Sequence, residues 1–385
     1  IYGDDTVVAL VCGDQVFVRA VVDGIADPGA EPSLLIDRLD DAEWFGERTR
    51  ITAEALPTPT PKKPRHRNPI RTYDSRVNRE SWLHERTFDG SRTDPAALVA
   101  GRTSTVSVVV PALNVADTIG PICSAIRSRW MNGHSLVDEL VVIDSASTDD
   151  TAAIATEAGA RVVQDAEVLP SVGRGRGKGE AMWKSLAATS GDIILWVDGD
   201  IADFDPMFVP KLLDPLFREP RIGFVKAFYE RPLGSAAHGG GRVTEICARP
   251  LINRFFPDLA GFIQPLSGEV AGRRELLERV PFLTGYAVEM GHLIDILATR
   301  GLEGMAQVDL GVRHHANQST VALGKMAYEI THAVLARVAG EGVVADGLRP
   351  YVRPVERDDD YVLERGPVHV GERPPMATVL TGGRS

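Results

Sequence analysis

A chain of 385 residues, 44% of them hydrophobic, has enough apolar material for one large domain with appendages or for two domains. Its 25% of charged residues is that of an ordinary globular protein and excludes wholesale disorder. A net charge of −11 and a pI near 5.4 exclude a general nucleic-acid binder, yet leave room for a local basic site that takes a small anion.

Cys12, Cys123 and Cys247 are far apart and lack metal-ligand spacing, so they read as reduced thiols of a cytoplasmic protein. The sequence has no apolar run long enough to span a membrane and no signal-peptide pattern, so no membrane partner is expected.

Residues 1–56 form a small β-rich appendage. TVVALV and QVFVRAVV flank Cys-Gly-Asp in a hairpin-like pattern that carries no chemistry. Residues 57–81 are a linker, because PTPTPKKPRHRNPIR is proline-rich, basic and without periodicity.

From about Thr105 strands and helices alternate. TVSVVVPAL is a strand and DTIGPICSAIRSRW a helix, and LVDELVVIDSAS is the second strand. TDDTAAIATEAG is a helix capped by Ser147 or Thr148. ARVVQD is a short third strand, GEAMWKSLAATS a helix, and DIILWVD the fourth strand. Continuous apolar strands between amphipathic helices predict an α/β fold, a mainly parallel sheet covered on both faces. Such sheets bind ligands beyond the carboxyl ends of their strands. The loops that should converge there begin with Pro111-Ala112-Leu113-Asn114, Asp144–Ser147, Gly173–Gly179 and Asp198-Gly199-Asp200.

Asp198-Gly199-Asp200 drives a buried strand into two carboxylates. In extended backbone they share one side, so both can serve one Mg²⁺ or Mn²⁺ site. The same spacing also occurs in solvated turns; its place at the fourth strand end favours the metal. GRGRGKG lacks the Ser or Thr of a phosphate-binding P-loop. It reads as a flexible loop carrying Arg174, Arg176 and Lys178, with Lys178, beside the next helix start, the best partner for a diphosphate. HGGGRVTE offers glycines, Arg242 and Thr244 at a helix opening, either an anion cradle or a plain tight loop with a cap. GYAVEMG places Tyr286 and Glu289 one helical turn apart, and QVDLGVRHHAN ends a strand in Arg313, His314, His315 and Asn317.

Taken together, VSVVVPALN, DSASTDDT, GKGEAMWKSLAATSGDI, VDGD, GGGRVTE, ARPL, PLSGE, GYAVEMG, LGVRHHAN and the late ERPPM resemble, in order and spacing, the glucosyl-3-phosphoglycerate synthases. These are retaining glycosyltransferases of the GT-A fold with a nucleotide-sugar donor and a 3-phosphoglycerate acceptor. The mannosyl-3-phosphoglycerate synthases, which use GDP-mannose, share much of the pattern. The resemblance implies a nucleotide-sugar-binding half over 82–235, an acceptor-binding and dimerisation half over 236–340, and a tail over 341–385. It implies that Pro111, Ala112 and Leu113 line the base and ribose pocket, that Ser145 meets the base, and that Lys178 contacts the donor. Asp198 and Gly199 then flank the ribose and diphosphate, and Asp200 and His315 hold Mg²⁺ or Mn²⁺. Gly241, Arg242, Val243 and Thr244 hold the phosphoglycerate. Tyr286 and Glu289 sit at the donor sugar, and Asn317 beside the metal on the acceptor side. Asp200, Lys178 and Glu289 are the expected catalytic groups, and a homodimer is the expected assembly.

Three departures concern the nucleotide: Val115 stands where the family has Glu, Gly199 where it has Ser, and the donor loop gains Arg174 and Arg176. Two rivals remain at this level. A nucleotidyltransferase would carry its Gly-rich loop directly after the first strand, where PALN stands instead. A catalytically silent nucleotide-sugar-binding module is disfavoured by the presence of Asp200, His315 and Lys178.

Overall fold

The computed structural model describes residues 6–12, 15–21, 79–133, 135–230, 241–313, 319–339, 350–357, 360–366, 368 and 370–382. The chain divides into two compact units, Ile1–Pro69 and Ile70–Ser385. In the first, β1 (Thr6–Cys12) and β2 (Gln15–Val21) pair antiparallel, Thr6 opposite Val21 and Cys12 opposite Gln15.

The second unit is built on an eight-stranded sheet. Its strands are β3 (Thr87–Phe88), β4 (Val106–Ala112), β5 (Glu139–Asp144), β6 (Arg161–Gln164), β7 (Ile193–Trp196), β8 (Phe224–Glu230), β9 (Val270–Arg273) and, after the short β10 (Phe282–Leu283) outside this sheet, β11 (Met305–Val312). Their order is β3-β11-β8-β9-β7-β4-β5-β6. β4 to β7 pair parallel among themselves, as do β3, β8 and β11. β9 alone runs against its neighbours, wedged between β7 and β8.

The apolar runs that predict these strands do so because both faces are covered. Along β4, Val106, Val108 and Val110 face one core with Ile119, Ile122, Trp130 and Leu212. Val109 faces the other with Ile143, Trp183 and Trp196. The helices Ala116–Ile126, Thr151–Glu157 and Lys178–Ala188 are the predicted crossovers. They carry the chain back, so the loops after β4, β5 and β7 open on one edge.

The predicted cap of Thr151–Glu157 is corrected. Asp150 occupies the N-cap position without a side-chain bond, and Asp149 accepts from Thr151 N at 3.1 Å. Ser147 and Thr148 instead tie the loops together. The Ser147 hydroxyl donates to Asp144 and accepts from Asn114 N at 3.0 Å, while Thr148 N donates to Asn114 Oδ1 at 2.8 Å.

Late residues return to the core. β10 pairs with β14 (Glu372–Arg373), and β12 (Tyr351–Arg357) with β13 (Asp360–Gly366). Arg373 clamps the fully buried Glu180, donating at 2.6 and 2.8 Å. It also donates to the carbonyls of Val172 and Gly173, and Gly175 N donates to Glu180 Oε1 at 3.1 Å. The basic loop read as a flexible flap is thus pinned at its base to the helix that follows.

Candidate active site

At the carboxyl edge a cavity of about 510 Å³ collects residues from every predicted loop. Pro111, Ala112 and Leu113, at the end of β4, form one wall with Val115 and Ser145. Asn114 (φ 53°) and Ala146 (φ 64°) take left-handed backbone there, which turns both chains sharply off the sheet. Leu113 is 54% exposed and offers an apolar face to a flat ring. Gly199 lies against this wall. A Cβ there would stand 3.1 Å from Pro111 O and 3.3 Å from Val110 and Val115 methyls, so glycine lets the β7 loop close on β4.

The floor is charged. Lys178 Nζ pairs with Asp198, stands 3.0 Å from Glu289 Oε1 and donates to Gly268 O at 3.3 Å. A side chain at Gly268 would collide with both Asp198 and Lys178. Burial favours the neutral amine, but Asp198 and Glu289 outweigh it and hold the ammonium above the ordinary lysine range. Lys178 is therefore held in its charged form. Behind it Lys226 is fully buried, donates to Ser267 O at 2.8 Å, and is pushed down to about 8 by that burial.

Arg313, at the end of β11, is buried. It pairs with the fully buried Glu269, donates to Tyr229 Oη at 2.9 Å, and approaches Asp198 and Asp200 at 3.8 and 3.6 Å. Burial pushes Glu269 up, against the pull of Arg313.

The far wall is Gly241, Arg242, Val243 and Thr244. Gly241 has φ +80°, a conformation suited to glycine, and the chain turns from it into a helix. Arg242 NH1 lies 3.5 Å from Thr320 Oγ1, and Val243 and Thr244 are buried. Tyr286, 48% exposed, and Glu289 complete the rim, with Leu323, Met326 and Ile330 of the helix Thr320–Ala339. Arg174 and Arg176 are absent from the lining; of the three cations in the basic loop only Lys178 faces the cavity.

The site residues that the resemblance implies line this one cavity, except His315 and Asn317, which with His314 lie outside the described residues. Among the described residues no group of three or more His, Cys, Asp or Glu could hold a metal ion. The two carboxylates after β7 are not equivalent. Asp198 is engaged by Lys178, whereas the side chain of Asp200 is 75% exposed. One exposed hard-oxygen donor fits a divalent ion that fills its other positions with phosphate and water.

Glu269, Gly268 and Lys226 have no role in the sequence reading, and Arg313 is only part of a cluster there. PLSGE and LGVRHHAN signal that something is present; which charge faces which depends on residues 44 positions apart meeting across the sheet.

The order and direction of the strands are those of a GT-A-type glycosyltransferase sheet. The model of the glycosyl transferase family 2 matches residues 107–277, from β4 to just past β9. The chain is 47% identical over 281 residues to the glucosyl-3-phosphoglycerate synthase of Petrotoga mobilis, covering 71% of this chain and 86% of that protein. The chain belongs to the glucosyl-3-phosphoglycerate synthase family.

Two solved structures are similar. The mannosyl-3-phosphoglycerate synthase of Rubrobacter xylanophilus is 40% identical with a TM-score of 0.73, covering 79% of this chain and 98% of that one. The glucosyl-3-phosphoglycerate synthase of Mycobacterium tuberculosis, in complex with Mn²⁺, UDP-glucose and phosphoglyceric acid, is 44% identical with a TM-score of 0.64, covering 74% and 94%.

Proposed function

We propose that this glycosyltransferase moves glucose from UDP-glucose to the 2-hydroxyl of D-3-phosphoglycerate with retention, aided by Mg²⁺ or Mn²⁺. The observation that carries the reading is one cavity with three complementary walls: an apolar slot at Pro111–Leu113, the Lys178–Asp198–Glu289 floor, and the Gly241–Thr244 turn. The relative from M. tuberculosis, solved with UDP-glucose and phosphoglyceric acid, supports both substrates.

In this reading Pro111, Ala112, Leu113 and Ser145 hold the base and ribose, and Asp198 and Gly199 flank the ribose and diphosphate. Asp200 would hold the divalent ion, with His315 as its second protein ligand. When bound, that ion neutralises charge on the diphosphate. Lys178 adds a fixed positive charge where the leaving group gains negative charge. Arg242, the Gly241 turn and Thr244 clasp the acceptor phosphate, with Asn317 nearby, and Tyr286 and Glu289 orient the sugar.

Glu289 and Asp198 both engage Lys178. That arrangement supports transfer on one face of the sugar, with no enzyme nucleophile. The bond from the anomeric carbon to the β-phosphate oxygen breaks as the bond to the glycerate 2-oxygen forms. The acceptor proton passes to the departing phosphate oxygen. The similarity to the Rubrobacter enzyme supports a second reading, mannose transfer from GDP-mannose.

The deciding experiment is a donor screen with 3-phosphoglycerate, comparing UDP-glucose, GDP-glucose and GDP-mannose, with the anomeric configuration of the product read by NMR. UDP-glucose should turn over fastest and give the α-linked product. A preference for GDP-mannose would move the assignment to the second reading, and no turnover with any of the three would reject both.

A further inference from the structure

The guanidinium of Arg313 has two ends in different surroundings. NH1 pairs with Glu269 and donates to Tyr229 Oη at 2.9 Å, and the group stacks on the Tyr229 ring at 5.2 Å. NH2 faces two aspartates and stops 3.8 Å from Asp198 Oδ2 and 3.6 Å from Asp200 Oδ1, a charge contact beyond hydrogen-bond length. Were this gap to close, Arg313 and Asp200 would form a charge-assisted pair. The carboxylate oxygens a divalent ion needs would then be taken by the enzyme's own cation.

Glu269 opposes that closure. Its side chain is fully buried at the entry to β9, and Ala227 N donates to its carbonyl at 3.0 Å, so its backbone is locked to β8. Its Oε2 has no hydrogen-bond partner among the described residues, and Arg313 Nε likewise has none. The carboxylate is therefore committed to one direct partner, and the partner is held by its far end.

We propose that Glu269 is a positioning residue: by anchoring NH1 of Arg313 it keeps NH2 off Asp200, leaving that carboxylate free for the divalent ion. The inference rests on the reading of Asp200 as the metal-binding carboxylate.

The test measures Mn²⁺ binding to the full chain with saturating UDP, by electron paramagnetic resonance of the free ion, so no turnover is needed. Supporting-residue substitutions at metal sites weaken affinity about tenfold to a hundredfold, and Glu269→Gln should raise the Mn²⁺ dissociation constant within that range. The KM for 3-phosphoglycerate at saturating Mn²⁺ should not change. The double variant Glu269→Gln/Arg313→Gln discriminates positioning from mere stabilisation. With the guanidinium gone Asp200 is free again, so Mn²⁺ affinity should recover even though the fold has lost a buried ion pair.

An unchanged dissociation constant in folded Glu269→Gln would overturn the proposal, as would a double variant that binds Mn²⁺ as weakly as the single one. If Glu269→Gln does not fold, Glu269→Asp decides. It keeps the charge but shortens the reach, so a several-fold weaker Mn²⁺ affinity supports the proposal and wild-type affinity overturns it. A wild type that takes up no Mn²⁺ with UDP would instead reject the metal reading of Asp200, a failure visible before any variant is made.

Discussion

In the proposed reading, Lys178 and Arg242 are two cations of one cavity that meet different anions. Lys178 is a point charge locked between Asp198 and Glu289, raised well above its ordinary range, so its charge persists through neutral and mildly alkaline pH. Lys178→Met should lower kcat and raise the donor KM, because leaving-group charge grows in the transition state; about 10²-fold in kcat/KM is expected of one lost electrostatic contact. Because the folded pKa is raised, the wild-type rate profile should show no basic limb from this group below about pH 10, the ordinary lysine value. A limb near pH 8 that vanishes in the variant would contradict the assignment. Arg242 differs, since a guanidinium can give two parallel hydrogen bonds to a phosphate and an ammonium cannot. Arg242→Lys should therefore raise the KM for 3-phosphoglycerate roughly tenfold to a hundredfold, about 1.5–3 kcal/mol, and leave the nucleotide-sugar KM nearly unchanged. Equal effects on both substrates would remove the acceptor role of this turn.

At the scale of elements, strands buried on both faces write their apolar runs plainly, which is why β4, β5 and β7 were legible and why their loops could be placed on one edge. β9 was not legible. Its four residues, Val270–Arg273, have no periodicity to read, and it enters the sheet between strands far from it in sequence. The cavity's lining was legible where a motif at a strand or loop end already marked a residue, as with Asp200, Lys178 and Arg242. It was illegible where a partner across the sheet decides the role, as with Glu269 and Arg313. The opposite end of the sheet shows the same limit. Glu139 opens β5 and accepts from Ser190 N at 2.5 Å, Ser107 Oγ at 2.7 Å, Ser190 Oγ at 2.9 Å and Arg161 at 3.0 Å. Burial raises its pKa, but these bonds together outweigh it and bring the carboxyl down to about 2 from 4.5. A folded pKa below the unfolded one gives stability that is present above the unfolded value and is lost as pH falls from about 4.5 towards 2. Glu139→Gln should thus destabilise the protein at pH 7 by on the order of 1–2 kcal/mol after solvent screening. That difference should shrink in acid, which urea midpoints of both proteins at neutral and acid pH would reveal. A pH-independent difference would mean that shape rather than charge matters there.

For the whole molecule, the question is where the catalytic unit begins. Every residue lining the cavity, from Pro111 to Ile330, belongs to the unit Ile70–Ser385. That unit is fastened at its start by Trp82. The indole is 2% exposed, donates to the carbonyls of Leu302 and Met305 at 2.9 and 3.1 Å, and packs on Phe262 with ring centroids 4.8 Å apart. Arg86 follows with an ion pair to Glu219, and its carbonyl accepts from Gln307 N at 2.8 Å beside β11. Two truncations therefore have opposite expected outcomes. Removing residues 1–69 leaves these fastenings in place, and glycosyl transfer should continue near the full-length rate. Removing residues 1–86 takes the indole from its site. Losing a buried tryptophan costs about 3–5 kcal/mol, a large share of the stability of a typical domain. The longer truncation should melt well below the shorter one, and it should lose activity as β11 and Arg313 lose their support. Thermal melts and initial rates of the two shortened chains, beside the full chain, make the comparison. A shorter truncation that is folded yet inactive would show that the first unit completes the site. A longer truncation as stable as the shorter one would show that Trp82 is not the fastening its contacts imply.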